Sequence, residues 1–267
     1  MKVIIMCGGK GTRLREETGS RPKPMLDIGG RPILWHIMDI YARHGFKDFV
    51  LPLGYKGDMI KQYFWEYKIR NSDFTIDLAS GGVTTHNSCP TDWRVTLCDT
   101  GQDTLKGARI KRIASHIDTE RFMVTYGDGV ADIDLDALLD FHQRSGNLGT
   151  FTGVRMPSRF GAVQTDDKGN ILSWQEKPVL NEYINCGFFV FERSFLDYLA
   201  EDPSCDLEKE PLERLAAEGK LGMYRHEGFW HCMDTLRDYT NLNAMWDKGN
   251  APWAAKTDVR AGGTDVC

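Results

Sequence analysis

The first apolar run of the chain leads directly into a glycine-rich segment. Residues Val3 to Met6 are continuously apolar, CGGKGTRL follows at 7–14, and RPKPM at 21–25. A short apolar run bounded by a glycine-containing loop is typical of a buried strand. The pattern predicts that the chain opens as an α/β fold.

The composition of this loop suits a polyphosphate. Gly8, Gly9 and Gly11 let backbone N–H groups approach phosphates closely, and Arg13 and Lys23 can neutralise phosphate charge from two directions. This interpretation predicts a nucleotide site. The alternative is that the glycines only form a tight turn and that both charges are solvated.

Two better-known phosphate motifs do not fit these letters. A P-loop requires GxxxxGK followed by Ser or Thr, and the chain contains no such sequence. A dinucleotide fingerprint requires a third glycine and an immediate helix, whereas Arg13, Arg15 and Pro22 follow here. Both motifs are therefore disfavoured.

The chain as a whole alternates between strand and helix patterns. Apolar residues at helical spacing predict helices at 32–45, 58–67, 107–116, 135–144, 194–200 and 208–218. Short apolar or alternating runs predict strands at 3–6, 49–53, 74–78, 94–99, 122–125, 149–154, 161–165, 171–175 and 184–192. This order favours a mostly parallel sheet with right-handed crossovers.

Composition excludes several classes of protein. The 267 residues are 41% hydrophobic, so the chain is long and apolar enough to form a globular core. Its formal charge of -5 disfavours a nucleic-acid partner. The apolar runs are too short for a membrane span, and the start does not read as a signal peptide, so we expect a cytoplasmic protein without a membrane partner. Seven scattered cysteines without a CxxC pair predict reduced thiols.

The loop GGKGTRL followed by RPKPM resembles the signature of the sugar nucleotidyltransferases. The resemblance covers residues 1 to about 253 and continues through WHIM (35–38), GYKG (54–57), VTLCDTG (95–101), TYGDGVAD (125–132), FGAV (160–163), QEKP (175–178), INCGFFVF (184–191) and GFWHCMDTLRD (228–238). Within this family the segments are most similar to those of glucose-1-phosphate cytidylyltransferases.

The resemblance implies both a fold and a reaction. The implied fold is α/β, a single Rossmann-like nucleotidyltransferase domain over 1–253 with a mostly parallel mixed central sheet flanked by helices, followed by a loose tail at 254–267. The implied reaction transfers CMP from CTP to α-D-glucose 1-phosphate, giving CDP-glucose and pyrophosphate. A phosphate monoester has a second pKa of about 6, so the attacking oxygen needs no general base. Alignment and charge neutralisation are what the transition state requires.

The resemblance also implies a set of site residues. Arg13 and Lys23 are the implied catalytic cations. The implied nucleotide-binding residues are Met6, Cys7, Gly8, Gly9, Lys10, Gly11, Thr12, Arg13, Lys23, Thr104 and Arg109. The implied sugar-phosphate-binding residues are Tyr126, Gly127, Glu176, Lys177, Asn185 and Gly187.

Asp128 and Asp234 are the carboxylates assigned to a cofactor, Mg²⁺. One or two carboxylates suit this ion, because it keeps several waters and completes its shell with substrate phosphates. Taken alone, Asp234 would read as a helix cap, since it precedes Thr235 at a predicted helix start.

Several alternatives stay open at this stage. The same chemistry with UTP or dTTP is one, and a non-catalytic nucleotide-sugar sensor is another. A zinc site at His226, His231 and Cys232 is disfavoured because a second ligand pair is missing. Phe64, Trp65 and Tyr67 are interpreted as helix packing, and the excursion at 70–100 together with the resemblance suggests a homo-oligomer.

Overall fold

The protein is described by a computed structural model that covers residues 1–11, 14, 19–87, 91–158 and 160–254. Within these ranges the α-helices are α1 (Ile33–Arg43), α2 (Gly57–Trp65), α3 (Tyr67–Arg70), α4 (Lys106–Arg112), α5 (Leu135–Ser145), α6 (Glu210–Ala217) and α7 (Leu236–Asp247). Short 3-10 helices span Lys23–Met25, Ala114–His116 and Arg193–Tyr198.

The strands in the same ranges are β1 (Lys2–Met6), β2 (Asp27–Ile28), β3 (Arg31–Pro32), β4 (Asp48–Leu53), β5 (Asp73–Ile76), β6 (Val83–His86), β7 (Arg94–Asp99), β8 (Arg121–Tyr126), β9 (Gly129–Ala131), β10 (Gly149–Pro157), β11 (Ala162–Thr165), β12 (Ile171–Gln175), β13 (Val179–Asn185), β14 (Phe189–Glu192), β15 (Leu221–Arg225) and β16 (Trp230–Cys232).

One mixed sheet organises the described part of the chain. Seven of its eight strands follow the order β13-β10-β14-β8-β1-β4-β7, and the eighth, β15, pairs with β10. The pairs β8-β1, β1-β4 and β4-β7 are parallel, whereas β14 pairs antiparallel with β8 and β10. The predicted α/β fold class, with its mostly parallel mixed sheet and flanking helices, is confirmed.

The order of the parallel strands reverses between β1 and β8. From β1 the chain moves outward through β4 to β7, and it then returns to place β8 on the opposite side of β1. In open α/β sheets, ligands bind beyond the carboxyl ends of the strands at such a switch point. A ligand-binding site is therefore expected at the two loops that leave β1 and β8.

Alternating side chains of the central strands fill two cores, one on each face of the sheet. In β1, Val3 and Ile5 belong to the core that α1 covers, while Ile4 and Met6 belong to the core that α4 and α6 cover. Because successive strand residues point to opposite faces, a continuous apolar run is what a strand buried on both sides needs. This explains why the run at 3–6 was readable from sequence.

Most predicted elements are present, with shifted ends. The helix predicted at 58–67 ends at Trp65 and is followed by the single turn α3, and the one predicted at 194–200 is a 3-10 helix. The segment 184–192, predicted as one strand, is divided into β13 and β14. The prediction of one domain over 1–253 stays a prediction, and residues 255–267 of the expected tail lie outside the described ranges.

A bulge causes this division. Gly187 and Phe188 adopt positive φ values of 85° and 52°, and Thr152 of β10 bonds to the backbone of both Cys186 and Gly187. The side chain of Phe188 thereby enters the core that α1 covers. Its ring stacks there on Tyr41 at a centroid distance of 5.9 Å. A bulge of this kind re-aims neighbouring side chains, and here the neighbour is Asn185.

Candidate active site

A cavity of about 820 Å³ opens at the carboxyl ends of β1 and β8. It is lined by residues of the glycine loop, the Lys23 turn, the start of α4, and the ends of β8, β13 and β16. The predicted residues that line it are Met6, Gly8, Gly9, Lys10, Gly11, Lys23, Thr104, Arg109, Tyr126, Gly127, Asp128, Asn185 and Asp234. The structure therefore brings most of the predicted site together.

The glycine loop has little room behind it. A Cβ on Gly8 would overlap the guanidinium carbons and nitrogens of Arg109, whereas the described atoms place nothing within 4 Å of a Cβ on Gly9. Gly11 has a positive φ of 60°, which glycine adopts without strain. Thr12 and Arg13, both predicted to bind nucleotide, lie outside the described residues.

Arg109 is buried beneath the loop, with only 3% of its surface exposed. Its guanidinium donates to the carbonyls of Gly8, Leu53, Gly101 and Gln102 and to Thr100 Oγ1, at 2.7 to 3.2 Å. Burial, followed by the charge of Arg112, lowers the pKa of Arg109. The side chain connects the glycine loop to the loop after β7.

The loop after β7 closes one side of the cavity. Thr104 is nearly buried, and its hydroxyl accepts a hydrogen bond of 2.9 Å from Arg112. Lys10 of the glycine loop forms a 2.6 Å ion pair with Asp103 of this second loop. The two loops are thus connected by Arg109 underneath and by an exposed ion pair at the cavity mouth.

Lys23 lies between the two aspartates that were assigned to a metal. Its Nζ is 2.6 Å from Asp128 Oδ2 and 2.6 Å from Asp234 Oδ1. The 3-10 turn that carries Lys23 is buried and begins after Pro22. Burial alone would lower the pKa of Lys23, but the charge of Asp128 and the hydrogen bonds to both carboxylates outweigh it and raise the pKa.

The same cluster fits a divalent cation. One ligand atom each from Asp128, Asp234 and Cys232 lie within 4.8 Å of one another. Two carboxylate oxygens suit Mg²⁺, which prefers hard ligands. Burial and then Asp128 raise the pKa of the Cys232 thiol, so this group stays neutral and contributes little to such an ion. Asp128 and Asp234 are the residues that would hold the metal.

Local structure fixes where Asp234 points. Thr235 caps α7 and forms a capping box with Asp238, so the cap is Thr235 and the interpretation of Asp234 as the cap is wrong. Asp238 Oδ2 also accepts the backbone N–H of Asp234 at 3.2 Å. The cap of α7 therefore holds the backbone of a site carboxylate.

The predicted sugar residues fall into two groups. Tyr126, Gly127 and Asn185 line the cavity. Gly187 lies in the bulge after β13, and its N–H donates to Asn185 Oδ1 at a distance of 2.9 Å. A Cβ on Gly127 would lie 2.7 Å from the carbonyl oxygen of Met6, so only glycine permits this approach of β1 and β8.

Glu176 and Lys177 form the second group. Both are described, yet both lie outside the cavity lining, with 65% and 64% of their side chains exposed. They follow β12 in the exposed segment that leads to β13, where Lys177 has a φ of 49°. The structure does not bring these two residues together with the rest of the predicted site.

Sequence reasoning missed eight residues that line the cavity, namely Pro24, Gln102, Asp103, Leu105, Lys106, Glu208, Trp230 and Cys232. Glu208 lies in EKEPLER, which reads only as the charged start of a helix. Trp230 donates its indole N–H to the carbonyl of Cys186 at 3.0 Å, a contact across 44 residues that no local pattern indicates. Their positions follow from topology alone.

The histidines of the disfavoured zinc site contact other residues. His226 Nε2 contacts the carbonyl of Phe229 at 3.0 Å, and His231 faces Asp238, so both histidines have protein partners other than Cys232.

Phe64 and Tyr67 contact neighbouring rings, as expected for packing. Trp65 is 89% exposed, so helix packing is wrong for this residue.

Comparison with known proteins agrees with this geometry. The sequence profile described as nucleotidyl transferase matches residues 2–248. The chain is 48% identical over 255 residues to glucose-1-phosphate cytidylyltransferase of Salmonella typhi, covering 95% of this chain and 98% of that protein. The protein of the same name from Salmonella typhimurium gives the same values.

The fold also has solved relatives. The crystal structure of HddC from Yersinia pseudotuberculosis matches with a TM-score of 0.67 and 22% identity, covering 92% of this chain and 99% of that one. This similarity concerns the fold. None of the helices in the described ranges has the length and apolar character that a membrane crossing requires.

The family profile and the two curated relatives cover nearly the whole chain, and the cavity lies where the topology predicts a ligand. The chain belongs to the nucleotidyl transferase family.

Proposed function

We propose that this protein is an enzyme that transfers CMP from CTP to α-D-glucose 1-phosphate, giving CDP-glucose and pyrophosphate. The observation that carries the proposal is the cluster of Lys23, Asp128 and Asp234 at the edge of a cavity bordered by the glycine loop. The choice of CTP and glucose 1-phosphate is supported by the names of relatives that are 48% identical.

The reaction is an in-line displacement at phosphorus. An oxygen of the sugar phosphate forms a bond to the α-phosphorus, and the bond from that phosphorus to the bridging oxygen of pyrophosphate breaks. The attacking oxygen is already ionised near neutral pH, so the protein need not supply a base. Its task is to align the two substrates and to balance the negative charge around the α-phosphate.

Lys23 suits the second task. Its ammonium group is charged, its side chain is only 11% exposed, and it borders the cavity between β1 and β8. A cation in a partly desolvated site stabilises developing negative charge more strongly than one in water. Arg13, which lies outside the described residues, is proposed as the second cation.

Asp128 and Asp234 are proposed to hold Mg²⁺, which when bound supplies positive charge to the phosphate oxygens. Lys23 contacts the same two carboxylates at 2.6 Å. A metal held by Asp128 and Asp234 would share this pair of acceptors with Lys23, whose ammonium group would then be available to substrate phosphates.

The glycine loop and its partners are proposed to hold the triphosphate and the base. Backbone N–H groups of a loop like this bind phosphates without a side-chain charge. Arg109 fixes the loop from below through Gly8 and fixes the 101–102 backbone at the same time. Thr104 borders the same wall of the cavity, so this region is proposed to contact the base.

The experiment that tests the function measures pyrophosphate release from CTP, UTP, dTTP and ATP separately, each with glucose 1-phosphate and Mg²⁺. We expect release with CTP well above the others, and loss of release when EDTA removes the metal. Release chiefly with UTP or dTTP would keep the reaction and change the base. The absence of release with every nucleotide would favour a non-catalytic sensor and contradict the proposal.

We also propose that the protein forms a homo-oligomer. An apolar groove lined by Phe64, Trp65, Tyr67 and Trp93 is open to solvent, and the adjacent β5-β6 hairpin is exposed along its length. Exposed apolar patches of this kind are typical of protein contacts. Light scattering that gives the mass of one chain would contradict this proposal.

A further inference from the structure

A chain of four side chains crosses one wall of the cavity. Asn185 Nδ2 donates to the hydroxyl of Tyr126 at 3.0 Å, and that hydroxyl donates to Glu208 Oε1. Lys106 donates to the other carboxylate oxygen, Oε2, of Glu208. All four residues line the cavity. The chain joins the end of β13 to the start of α4, across 79 residues of sequence between Lys106 and Asn185.

Glu208 keeps the capacity to bind a ligand. Each carboxylate oxygen has two acceptor positions, and the two contacts with Tyr126 and Lys106 use one on each oxygen. The side chain is 37% exposed toward the cavity side of α6. Tyr126 and Lys106 hold the carboxylate from two directions, so its remaining acceptor positions have a fixed orientation.

The charges around the cavity limit what Glu208 can contact. The carboxylates of the described lining each contact a lysine: Asp103 contacts Lys10, the metal-site pair contacts Lys23, and Glu208 contacts Lys106. A carboxylate that faced a phosphate would repel it. Glu208 is therefore suited to a neutral part of the substrates that donates hydrogen bonds, which in CTP and glucose 1-phosphate means a hydroxyl or the amino group of cytosine.

The position of the chain favours the hexose over the ribose and the base. Asn185 ends β13 and Tyr126 ends β8, and both belong to the residues predicted to bind the sugar phosphate. Tyr126 lies two residues before Asp128 of the metal site. Glu208 thus contacts, directly or through Tyr126, two members of the predicted sugar-phosphate set.

We propose that Glu208, held by Tyr126, Asn185 and Lys106, accepts hydrogen bonds from hydroxyl groups of the hexose and so selects the sugar phosphate. This inference rests on the proposed function and adds a specificity residue to the same site. A hydroxyl bonded to a carboxylate is a charge-assisted contact, and an analogue without that hydroxyl leaves the contact unmade.

The first test compares the variants E208A and E208Q with the wild type at saturating CTP. We expect E208A to raise KM for glucose 1-phosphate about 10- to 100-fold, with KM for CTP unchanged and with a smaller effect in E208Q. The control is E213A, because Glu213 is an exposed residue of α6 outside the described cavity lining. Circular dichroism and melting temperature check that each variant is folded.

The second test removes the hydroxyl from the substrate instead. Glucose 1-phosphate analogues that lack the 2-, 3-, 4- or 6-hydroxyl are compared in wild type and E208A. For the hydroxyl that Glu208 binds, we expect the deoxy analogue to lose kcat/KM with the wild type but to lose nothing further with E208A. This non-additivity distinguishes a direct contact from a general disturbance of the fold.

The outcomes separate the two proposals. A wild type that makes no pyrophosphate from CTP and glucose 1-phosphate overturns the proposed function and this inference with it. An active wild type whose folded E208A and E208Q variants keep the wild-type KM for glucose 1-phosphate overturns the inference alone. A rise in KM for CTP, with lost discrimination against 2'-deoxy-CTP, would assign Glu208 to the ribose and overturn the hexose assignment.

Discussion

Lys23 Nζ lies 2.6 Å from Asp128 Oδ2, although 105 residues separate the two in sequence. The same ammonium group contacts Asp234, so one cation neutralises two carboxylates that would otherwise repel each other. A divalent ion at Asp128 and Asp234 would perform the same neutralisation. The lysine and the ion are therefore thermodynamically linked, and removing the lysine should affect both turnover and metal binding.

The variant K23M tests this linkage. We expect kcat to fall about 100- to 1000-fold, since a cation at the reacting phosphate is lost. We also expect Mg²⁺ to raise the melting temperature more in K23M than in the wild type, because the two carboxylates lack their internal partner. Calorimetry with and without Mg²⁺, together with a pyrophosphate assay, measures both effects.

K47M is the matched control for K23M. Lys47 also pairs with an aspartate, Asp92 at 2.7 Å, but both side chains are exposed and distant from the cavity lining in the described chain. Loss of an exposed ion pair costs little stability. A K23M enzyme that kept the turnover of K47M would contradict the role of Lys23.

Two adjacent glycines of the loop should respond differently to alanine. A Cβ at Gly8 would overlap the Arg109 guanidinium, whereas one at Gly9 meets nothing within 4 Å in the described chain. We expect G8A to lower the free energy of unfolding by about 1–3 kcal/mol and G9A to leave it nearly unchanged. If Gly9 faces the phosphates, G9A should still raise KM for CTP. Urea unfolding and initial-rate kinetics measure these effects, and equal stability of both variants would contradict the packing argument.

Arg109 should matter through the backbone it holds. In R109K, one ammonium group replaces a guanidinium that reaches five acceptors in three segments, so several buried acceptors lose their donor. Each unsatisfied buried group costs about 1–3 kcal/mol. We expect lower stability and a raised KM for CTP, with kcat changed less. R144K, at an exposed position of α5, should match the wild type, and a stable R109K with normal KM would be the contrary result.

The sequence predicts the elements whose pattern is local. The run at 3–6 and the periodicity of α1 required nothing beyond spacing, because β1 is buried on both faces and α1 along most of its length. A helix start at this point was also readable, although the residue that caps it is Thr235 and not Asp234. Resemblance, in contrast, was needed to select Lys23 and Asp128, whose contact depends on the position of β8 beside β1.

Long-range contacts account for what was missed. Glu208 enters the site only because the segment before α6 contacts α4 and the loop before it, through Pro203 and Cys205. Its charge pattern resembles that of any exposed helix start. The division of β13 from β14 depends on Phe188, which adopts a positive φ that a buried aromatic residue rarely takes. Packing of the Phe188 ring on Tyr41 offsets the conformational cost of the positive φ. The spacing of residues in the sequence does not indicate this contact.

His36 should make stability depend on pH. It is buried in α1, where burial lowers its pKa to about 4 from 6.5. The unfolded chain therefore binds a proton between these values and the folded chain does not, so the free energy of unfolding falls as pH decreases from 6.5 toward 4. The expected slope is at most about 1.4 kcal/mol per pH unit. The neutral variant H36Q should remove this component from urea unfolding curves, and H44Q, at a less buried position, should keep it.

The cap of α7 should control the metal site, because Asp238 bonds both the hydroxyl of Thr235 and the backbone N–H of Asp234. D238A removes these acceptors, so we expect a loss of about 0.5–2 kcal/mol of stability and a higher Mg²⁺ concentration at half-maximal activity. D238N keeps one acceptor oxygen and should recover part of both. A D238A variant that lost stability but kept the wild-type Mg²⁺ requirement would mean that Asp234 is oriented independently of the cap.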